Sequence, residues 1–114
     1  MKHLSMDFNE IKITETDNEL SNFARAIAIP IRVSIIRAIL LNGPWVSPDV
    51  FVNLGLNPVT RERHLKSMVF SGIVKEKHHN RKTYYSIDEQ GFFKLVNEFD
   101  DLFSYFKTHW VKPE

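Results

Sequence analysis

The protein has 114 residues, of which 43% are hydrophobic and 25% are charged. This size and composition are typical of one globular domain and argue against wholesale disorder, so we expect one core and no second domain. The chain has no cysteine and a net charge of +1, which excludes disulfides and thiolate metal sites and fits a reducing cytoplasm. The first residues, "MKHLSMDFNE", lack the apolar core of a signal peptide, and no apolar run approaches the ~18 residues that span a membrane. We therefore expect a cytoplasmic protein with no membrane partner.

The first part of the chain predicts an arm followed by two helices. Residues 1–17 show no sustained period and predict an N-terminal arm, ahead of one domain over residues 18–110. The first helix is predicted to start at residues 17–18, and Pro30 ends or offsets it because proline lacks the N–H that a helix interior needs. The next segment, "IRVSIIRAILLNG", is apolar nearly all round. It predicts a central buried helix, which Gly43 closes in a left-handed conformation.

A helix-turn-helix is predicted next. The segment "SPDV" predicts a short helix capped by Ser47, and Gly55 in "LGLNP" places a tight turn after it. The following helix has Asn57 as its cap and Pro58 in its first turn, and it runs to about Ser71. Two helices joined by a short turn that contains glycine form a helix-turn-helix.

The last part of the chain predicts a hairpin and a long helix. The β-rich segments "IVKEKH" and "KTYYSI" flank "HNR", in which Asn80 tolerates a positive φ. Asp88 is the predicted cap of a helix over residues 89–110, whose large apolar residues recur every three or four positions. They form a heptad seam made of Phe92, Val96, Phe99, Phe103, Phe106 and Trp110. Because a contiguous apolar stripe needs cover, we expect a second copy of the chain to pack on it in a two-fold homodimer.

Positive charge is concentrated between two acidic ends. Residues 61–82 hold seven Lys and Arg against two Glu, a net +5, whereas residues 1–20 and 83–114 each carry −3. Such segregation is the electrostatic pattern expected of a surface that binds a polyanion such as double-stranded DNA.

The second helix of the helix-turn-helix has a predicted inner and outer face. With Leu65 pointing inward and 100° per residue, the positions facing outward are Thr60, Arg63, Ser67 and Phe70. Asn57, Val59, Thr60 and Arg63 are therefore the candidates for reading bases, because the N-terminal end of such a helix enters the major groove. Lys66 and Ser67 are the candidates for phosphate contact, and His64 lies on a flank.

Two residues of this helix point elsewhere. Arg61 lies toward the core edge and must extend its charge outward. Glu62 precedes Lys66 by four residues, which is the favourable order for an ion pair within a helix, so we expect that pair to form.

Several segments together resemble the arsenic-repressor (ArsR) family of transcriptional regulators over about residues 20–105. They are "AIAIPIRVSII", "LGLNPVTRERHLKSMVFSGIV" and "KTYYSI". The resemblance implies a winged helix-turn-helix that is mostly α with a small β-hairpin, dimerising through its first and last helices. It implies DNA reading by residues 57–64 and a wing at about residues 78–81 that touches the DNA. The residues then assigned to the wing are Lys77, His79, Arg81 and Lys82, and Leu20 and Phe23 of the first helix join the heptad seam in the dimer interface.

The metal sites of that family are not reproduced. Val46 and Pro48 stand where many members have a Cys-x-Cys pair, and the last helix lacks the ligand spacing of other members. The adjacent His78 and His79 lie on a predicted strand and point to opposite faces, so they rarely chelate together. We therefore expect no metal site and no cofactor, and the sequence identifies no effector.

Two functions follow from these observations. The first is a dimeric, sequence-specific DNA-binding regulator, acting as a repressor. The alternative is a winged-helix protein-interaction module without specific DNA binding, motivated by Arg61, Glu62 and Phe70, since the family usually has a small apolar residue and a serine at the first two positions. No nucleophile, phosphate-binding glycine loop or acid/base pair is apparent, so we do not expect an enzyme.

Overall fold

The computed structural model describes residues 11–112 of the chain. Its elements, in chain order, are α1 (Glu15–Ile27), α2 (Pro30–Asn42), a 3₁₀ helix (Pro48–Leu54), α3 (Pro58–Phe70), β1 (Val74–His79), β2 (Lys82–Ile87) and α4 (Glu89–His109). The predicted fold, mostly helical with a small antiparallel hairpin, is confirmed. Within the described residues, no helix has both the length and the apolar character needed to cross a membrane.

The first helix begins earlier than the sequence suggested. The hydroxyl of Thr14 accepts a hydrogen bond from the N–H of Asp17 at 3.1 Å, and the Asp17 carboxylate accepts one from the N–H of Thr14 at 3.0 Å. This reciprocal capping box fixes the start of α1 at Glu15, so residues 15–17 of the predicted arm are helical. Residues 1–10 of that arm lie outside the described part of the chain.

Two predicted caps are confirmed. The side chain of Asn57 accepts from the N–H of Thr60 at 2.8 Å and starts α3, while Asp88 accepts from the N–H of Gly91 at 3.3 Å and starts α4. Each satisfies a backbone donor that the first turn of a helix leaves free, and such a cap contributes about 1 kcal/mol to stability.

Two local predictions were wrong. Gly43 ends α2 in an extended conformation, with φ −73°, instead of a left-handed one. The physical reason is Pro44, because the residue before a proline favours extended backbone. Ser47 makes no side-chain capping bond, although the short helix predicted after it does form, as a 3₁₀ helix.

The core lies where α2, the 3₁₀ helix, α3, the hairpin and α4 meet. Its fully buried large side chains are Ile35, Ile39, Phe51, Leu65, Met68, Ile73, Val74 and Tyr85. The backbone of Val46 pairs with that of Tyr85 through two hydrogen bonds of 2.9 Å, which tie the segment before the 3₁₀ helix to β2. The hairpin is therefore anchored in the core at its base and leaves its tip exposed.

A close backbone contact joins α4 to the end of α3. A Cβ atom added at Gly91 would lie 1.8 Å from the carbonyl oxygen of Gly72. Gly72 itself has a φ of +78°, which ends α3 in the left-handed region that glycine adopts without strain. The first turn of α4 can approach this turn only because position 91 has no side chain.

Candidate nucleic-acid interface

The turn between the 3₁₀ helix and α3 leaves the start of α3 accessible. Gly55 has a φ of +78° and turns the chain between the two helices. Val59 is 70% exposed in the first turn of α3, and Arg63 is exposed one turn later. The Asn57 side-chain oxygen is used by its own helix as the cap, so its amide N–H groups are the donors left for another molecule.

The inner and outer faces of α3 largely follow the predicted directions. Leu65 and Met68 are fully buried, and Arg63 and Phe70 are exposed. Thr60 and Ser67, which were also predicted to face outward, are partly exposed. Asn57, Val59, Arg63 and the exposed Lys66 are the predicted DNA-contacting residues that α3 and its cap present most openly.

Arg32 of α2 fixes the tautomer of the His64 ring through a hydrogen bond. The Nε of Arg32 donates a 3.0 Å hydrogen bond to Nδ1 of His64, and its Nη1 donates to the carbonyl oxygen of Ala26 at 3.1 Å. Burial, followed by the positive charges of Arg32 and Arg63, lowers the pKa of His64 below its ordinary value. The ring is therefore neutral at pH 7 and carries its proton on Nε2, which leaves one N–H donor on the flank of α3.

The predicted ion pair between Glu62 and Lys66 is absent from the described residues. Glu62 instead accepts a 3.3 Å hydrogen bond from the hydroxyl of Tyr85, which lies in the core end of β2. Burial and then the charge of Glu62 raise the pKa of Tyr85 to about 12, so this phenol stays protonated as a donor. The glutamate is therefore directed away from the outer face of α3.

Arg61 lies beside this pair, as its core-edge position predicted. Its Nε is buried, and within residues 11–112 it has no hydrogen-bond partner. The residue as a whole is partly exposed, which fits a side chain that extends outward along the protein surface.

The hairpin carries its positive charge on one face. In the antiparallel register, His79 pairs with Lys82 and Lys77 pairs with Tyr84. Because strand side chains alternate between faces, Lys75, Lys77, His79 and Lys82 share one side, which we call the basic hairpin face. His78 lies on the other side, where its Nδ1 is 3.0 Å from the Thr83 hydroxyl, so the two histidines are separated as predicted.

The tip of the hairpin is a two-residue turn. Asn80 and Arg81 have φ values of 50° and 64°, so both occupy the left-handed region, as a type I′ turn requires. The positive φ of Asn80 was predicted, and Arg81 is exposed at the end of the basic hairpin face.

One residue of this surface was missed in the sequence. The ring centre of Trp45 lies 4.2 Å from Nζ of Lys77 and 5.5 Å from Nζ of Lys75. Both ammonium groups are within cation–π range of one indole, which limits the positions of two charges on the basic hairpin face. Trp45 comes to this place because its neighbour Val46 pairs with β2, a contact that no local sequence signal shows.

The predicted dimer interface consists of two kinds of residue. Leu20, Phe23, Phe92 and Phe99 are partly buried against the core of their own chain. Val96, Phe103, Phe106 and Trp110 are between 40% and 63% exposed. Every residue from 100 to 112 is exposed, so the second half of α4 extends away from the domain with its share of the heptad seam uncovered.

The described residues contain no group of three or more His, Asp or Glu side chains that could hold a metal ion. The surface formed by α3 and the hairpin offers charge and hydrogen bonding, together with apolar contact from Val59.

Comparison with solved structures identifies the architecture. An ArsR family transcriptional regulator superimposes with a TM-score of 0.69 at 12% identity, covering 82% of this chain and 95% of that one. The fold is shared. The chain is a winged helix-turn-helix. In it, α3 occupies the place of the recognition helix and the β1–β2 hairpin is the wing.

Two further winged-helix structures are similar. The transcriptional repressor BigR from Xylella fastidiosa matches with a TM-score of 0.56 at 21% identity, covering 83% of this chain and 90% of that one. A homodimeric winged helix-turn-helix DNA-binding domain from Mycobacterium bovis, a possible ArsR-family regulator, matches with a TM-score of 0.59 at 17% identity, covering 85% and 89%. No family model and no curated protein matches the sequence. The resemblance to ArsR regulators noted in the sequence is thus confirmed as a likeness of fold.

Proposed function

We propose that the protein is a homodimeric, sequence-specific DNA-binding transcriptional regulator of the cytoplasm, acting as a repressor and not as an enzyme. The observation that carries this proposal is the exposure of Val59 and Arg63 near the start of α3, next to a hairpin that gathers its positive charge on one face. An exposed helix N-terminus that carries an arginine is suited to hydrogen bonding with base edges in a major groove. A basic wing is suited to contact with the phosphate backbone.

In the proposed complex, α3 reads bases with Arg63 and contacts thymine methyl groups with Val59. Asn57 and Thr60 add polar contacts at the N-terminal end of the helix. Lys66, Ser67 and the His64 Nε2–H meet the DNA along its flanks, while Lys77, His79, Arg81 and Lys82 meet phosphates from the wing. These assignments combine the sequence predictions with the exposure of the side chains.

The dimer is supported by the uncovered half of α4. Residues 100–112 are exposed although they carry Phe103, Phe106 and Trp110 of the heptad seam. The similar Mycobacterium bovis domain is homodimeric, and the similar Xylella fastidiosa protein is a repressor. We infer that two copies pack through α4, with α1 beside it, and present their α3 helices about 34 Å apart, one turn of DNA.

Selection from a random duplex library tests sequence-specific binding. The purified protein is expected to enrich a pseudo-palindrome whose half-sites are about 10 base pairs apart. In a transcription assay, a promoter that carries the selected site should produce less transcript when the protein is added. Uniform recovery of all sequences at moderate salt would contradict specific reading.

Two variants then separate the roles of α3 and the wing. Arg63→Ala should reduce discrimination at one base pair by about 1–3 kcal/mol, because a base contact specifies. Lys82→Ala should weaken all sequences alike and reduce the slope of log affinity against log salt by about one, because a phosphate contact releases a counterion. Arg37→Ala, which removes an exposed arginine of α2 outside both surfaces, is the matched control and should change neither quantity.

A protein-interaction module without specific DNA binding is the second candidate. Phe70 favours it, because this aromatic residue of α3 is 93% exposed. The other two residues behind that alternative are engaged at the core edge, since Glu62 bonds Tyr85 and Arg61 has a buried Nε. Failure of the library selection, with the dimer intact, would favour this second function.

A further inference from the structure

A cavity of about 560 Å³, open to solvent on one side, lies between α1, the start of α2 and the last turns of α3. The residues that matter for its chemistry are Asn22, Phe23 and Arg25 of α1, Arg32 of α2, and Ser67 and Phe70 of α3. Its volume is within the range of about 300–1,000 Å³ that is usual for small-molecule sites. It lies at the C-terminal end of α3, away from the N-terminal end that is proposed to read bases, and no residue of the basic hairpin face lines it.

The charge of the cavity is positive. Arg25 and Arg32 line its walls, and the one acid among its lining residues, Glu19, is paired with Lys94 of α4. Within the described residues, the Arg25 side chain makes a single long hydrogen bond, 3.5 Å to the hydroxyl of Ser21. Its guanidinium therefore has donors available for a ligand. Arg32 uses two of its five N–H donors, which leaves three for a ligand.

Part of the remaining lining is apolar and aromatic, beside the polar Asn22, Ser67 and Ser71. Phe23 and Ala26 form one side, and Phe70 stands at the edge with 93% of its side chain exposed. This aromatic ring is almost fully exposed beside two arginines. A ligand whose anionic group binds the arginines can therefore pack its apolar part against the ring. A carboxylate matches the planar fork of arginine through two parallel hydrogen bonds.

We propose that this cavity binds a small organic carboxylate with an aromatic or aliphatic body, and that the bound ligand weakens DNA binding by α3. The second part rests on the proposed function. Arg32 connects the two sites, because the same guanidinium lines the cavity and donates to Nδ1 of His64. A carboxylate bound to the three remaining donors of Arg32 competes with His64 for the position of this guanidinium, and Ser67 and Phe70 place the ligand directly against α3.

Binding is tested first without DNA. Phenylacetate is titrated into the ¹⁵N-labelled protein, and saturable shifts are expected for the amides of Ser67, Phe70 and Ser71. Arg25→Ala should weaken binding about tenfold or more, the effect of losing a charge-assisted hydrogen bond. Arg37→Ala, the matched loss of an exposed arginine outside the cavity, should bind as the unmodified protein does. Phenylacetamide has the same size without the charge and should produce no saturable shift.

Three results would overturn the site. They are the absence of saturable shifts with phenylacetate, equal affinity of Arg25→Ala and the unmodified protein, and equal binding of phenylacetamide. Because Arg25 is exposed, its replacement leaves the fold intact, which circular dichroism verifies.

Coupling is tested with the selected duplex. Saturating phenylacetate should weaken DNA binding of the unmodified protein about fivefold or more and leave Arg25→Ala unaffected. Ligand binding without any change in DNA affinity would overturn the coupling. If no duplex is bound with or without ligand, the proposed function fails, and the amide titration still decides whether the cavity binds a carboxylate.

Discussion

Replacing Phe106 with aspartate should break the dimer. Phe106 is 57% exposed in the single chain. Since a phenylalanine can bury up to about 200 Å², covering the exposed part removes about 110 Å² of apolar surface from water per copy. At about 25 cal/mol per Å² this corresponds to about 3 kcal/mol per copy and about 6 kcal/mol for two copies. Because association costs absorb part of this, we expect at least about 3 kcal/mol, a weakening of about a hundredfold.

Sedimentation velocity over a concentration series measures this effect. The unmodified protein should be a dimer at micromolar concentration and Phe106→Asp a monomer, with the same helix content by circular dichroism. Ser104→Asp is the matched control, because it adds the same charge in the same turn on the exposed opposite side of α4. A monomeric unmodified protein, or equal dissociation constants for Phe106→Asp and Ser104→Asp, would refute the argument from the heptad seam.

Three further variants probe other parts of the structure. Gly91→Ala should lower the free energy of unfolding by about 3 kcal/mol or more in urea titrations, because the added Cβ would lie 1.8 Å from the oxygen of Gly72. The pKa of His64 is lowered from its ordinary 6.5, so the unfolded chain binds more protons, and stability should fall as the pH drops below that value. His64→Gln should make this part of the pH profile flatter. Trp45→Leu should weaken binding to all duplexes by about 1 kcal/mol in a fluorescence anisotropy titration, because Lys77 loses its aromatic support.

Each of these variants has a control. Asn97→Ala alters an exposed position of α4 and should leave stability nearly unchanged, so equal losses for it and Gly91→Ala would contradict the role of the backbone contact. A pH profile of His64→Gln that superimposes on that of the unmodified protein would show that another group causes the acid loss. Trp45→Phe keeps an aromatic face and should retain most of the affinity, and a change in sequence preference in Trp45→Leu would assign the indole to base reading.

Features that depend on neighbouring residues in the chain were predictable from the sequence. Asn57 and Asp88 act as caps because their side chains reach backbone donors three residues ahead. Asn80 adopts a positive φ because its short polar side chain tolerates it. With Leu65 taken as the inward direction, the buried position of Met68 follows from the 100° step of a helix. These local signals were sufficient to give the order of elements and the exposed N-terminal end of α3.

Features that depend on distant residues were not predictable. Lys66 is a suitable partner for Glu62 by sequence, but the fold brings the hydroxyl of Tyr85, 23 residues away, to that carboxylate. Trp45 joins the basic hairpin face only through the pairing of Val46 with β2. From the sequence alone, Gly91 is a residue of low helix propensity. That it allows the turn at Gly72 to pack closely against α4 is visible only in the folded structure.

At the hairpin tip, one residue lowers the stability of the fold while it adds positive charge for the proposed DNA binding. A type I′ turn favours glycine at its second central position, yet Arg81 holds a φ of 64° there, at a conformational cost of about 1 kcal/mol. Arg81→Gly should therefore raise the melting temperature by about 4 °C while removing a positive charge from the wing. A screen for thermostable variants would favour that exchange, and one for tight DNA binding would reject it. Selection for thermal stability alone would therefore replace Arg81 and remove a positive charge from the wing.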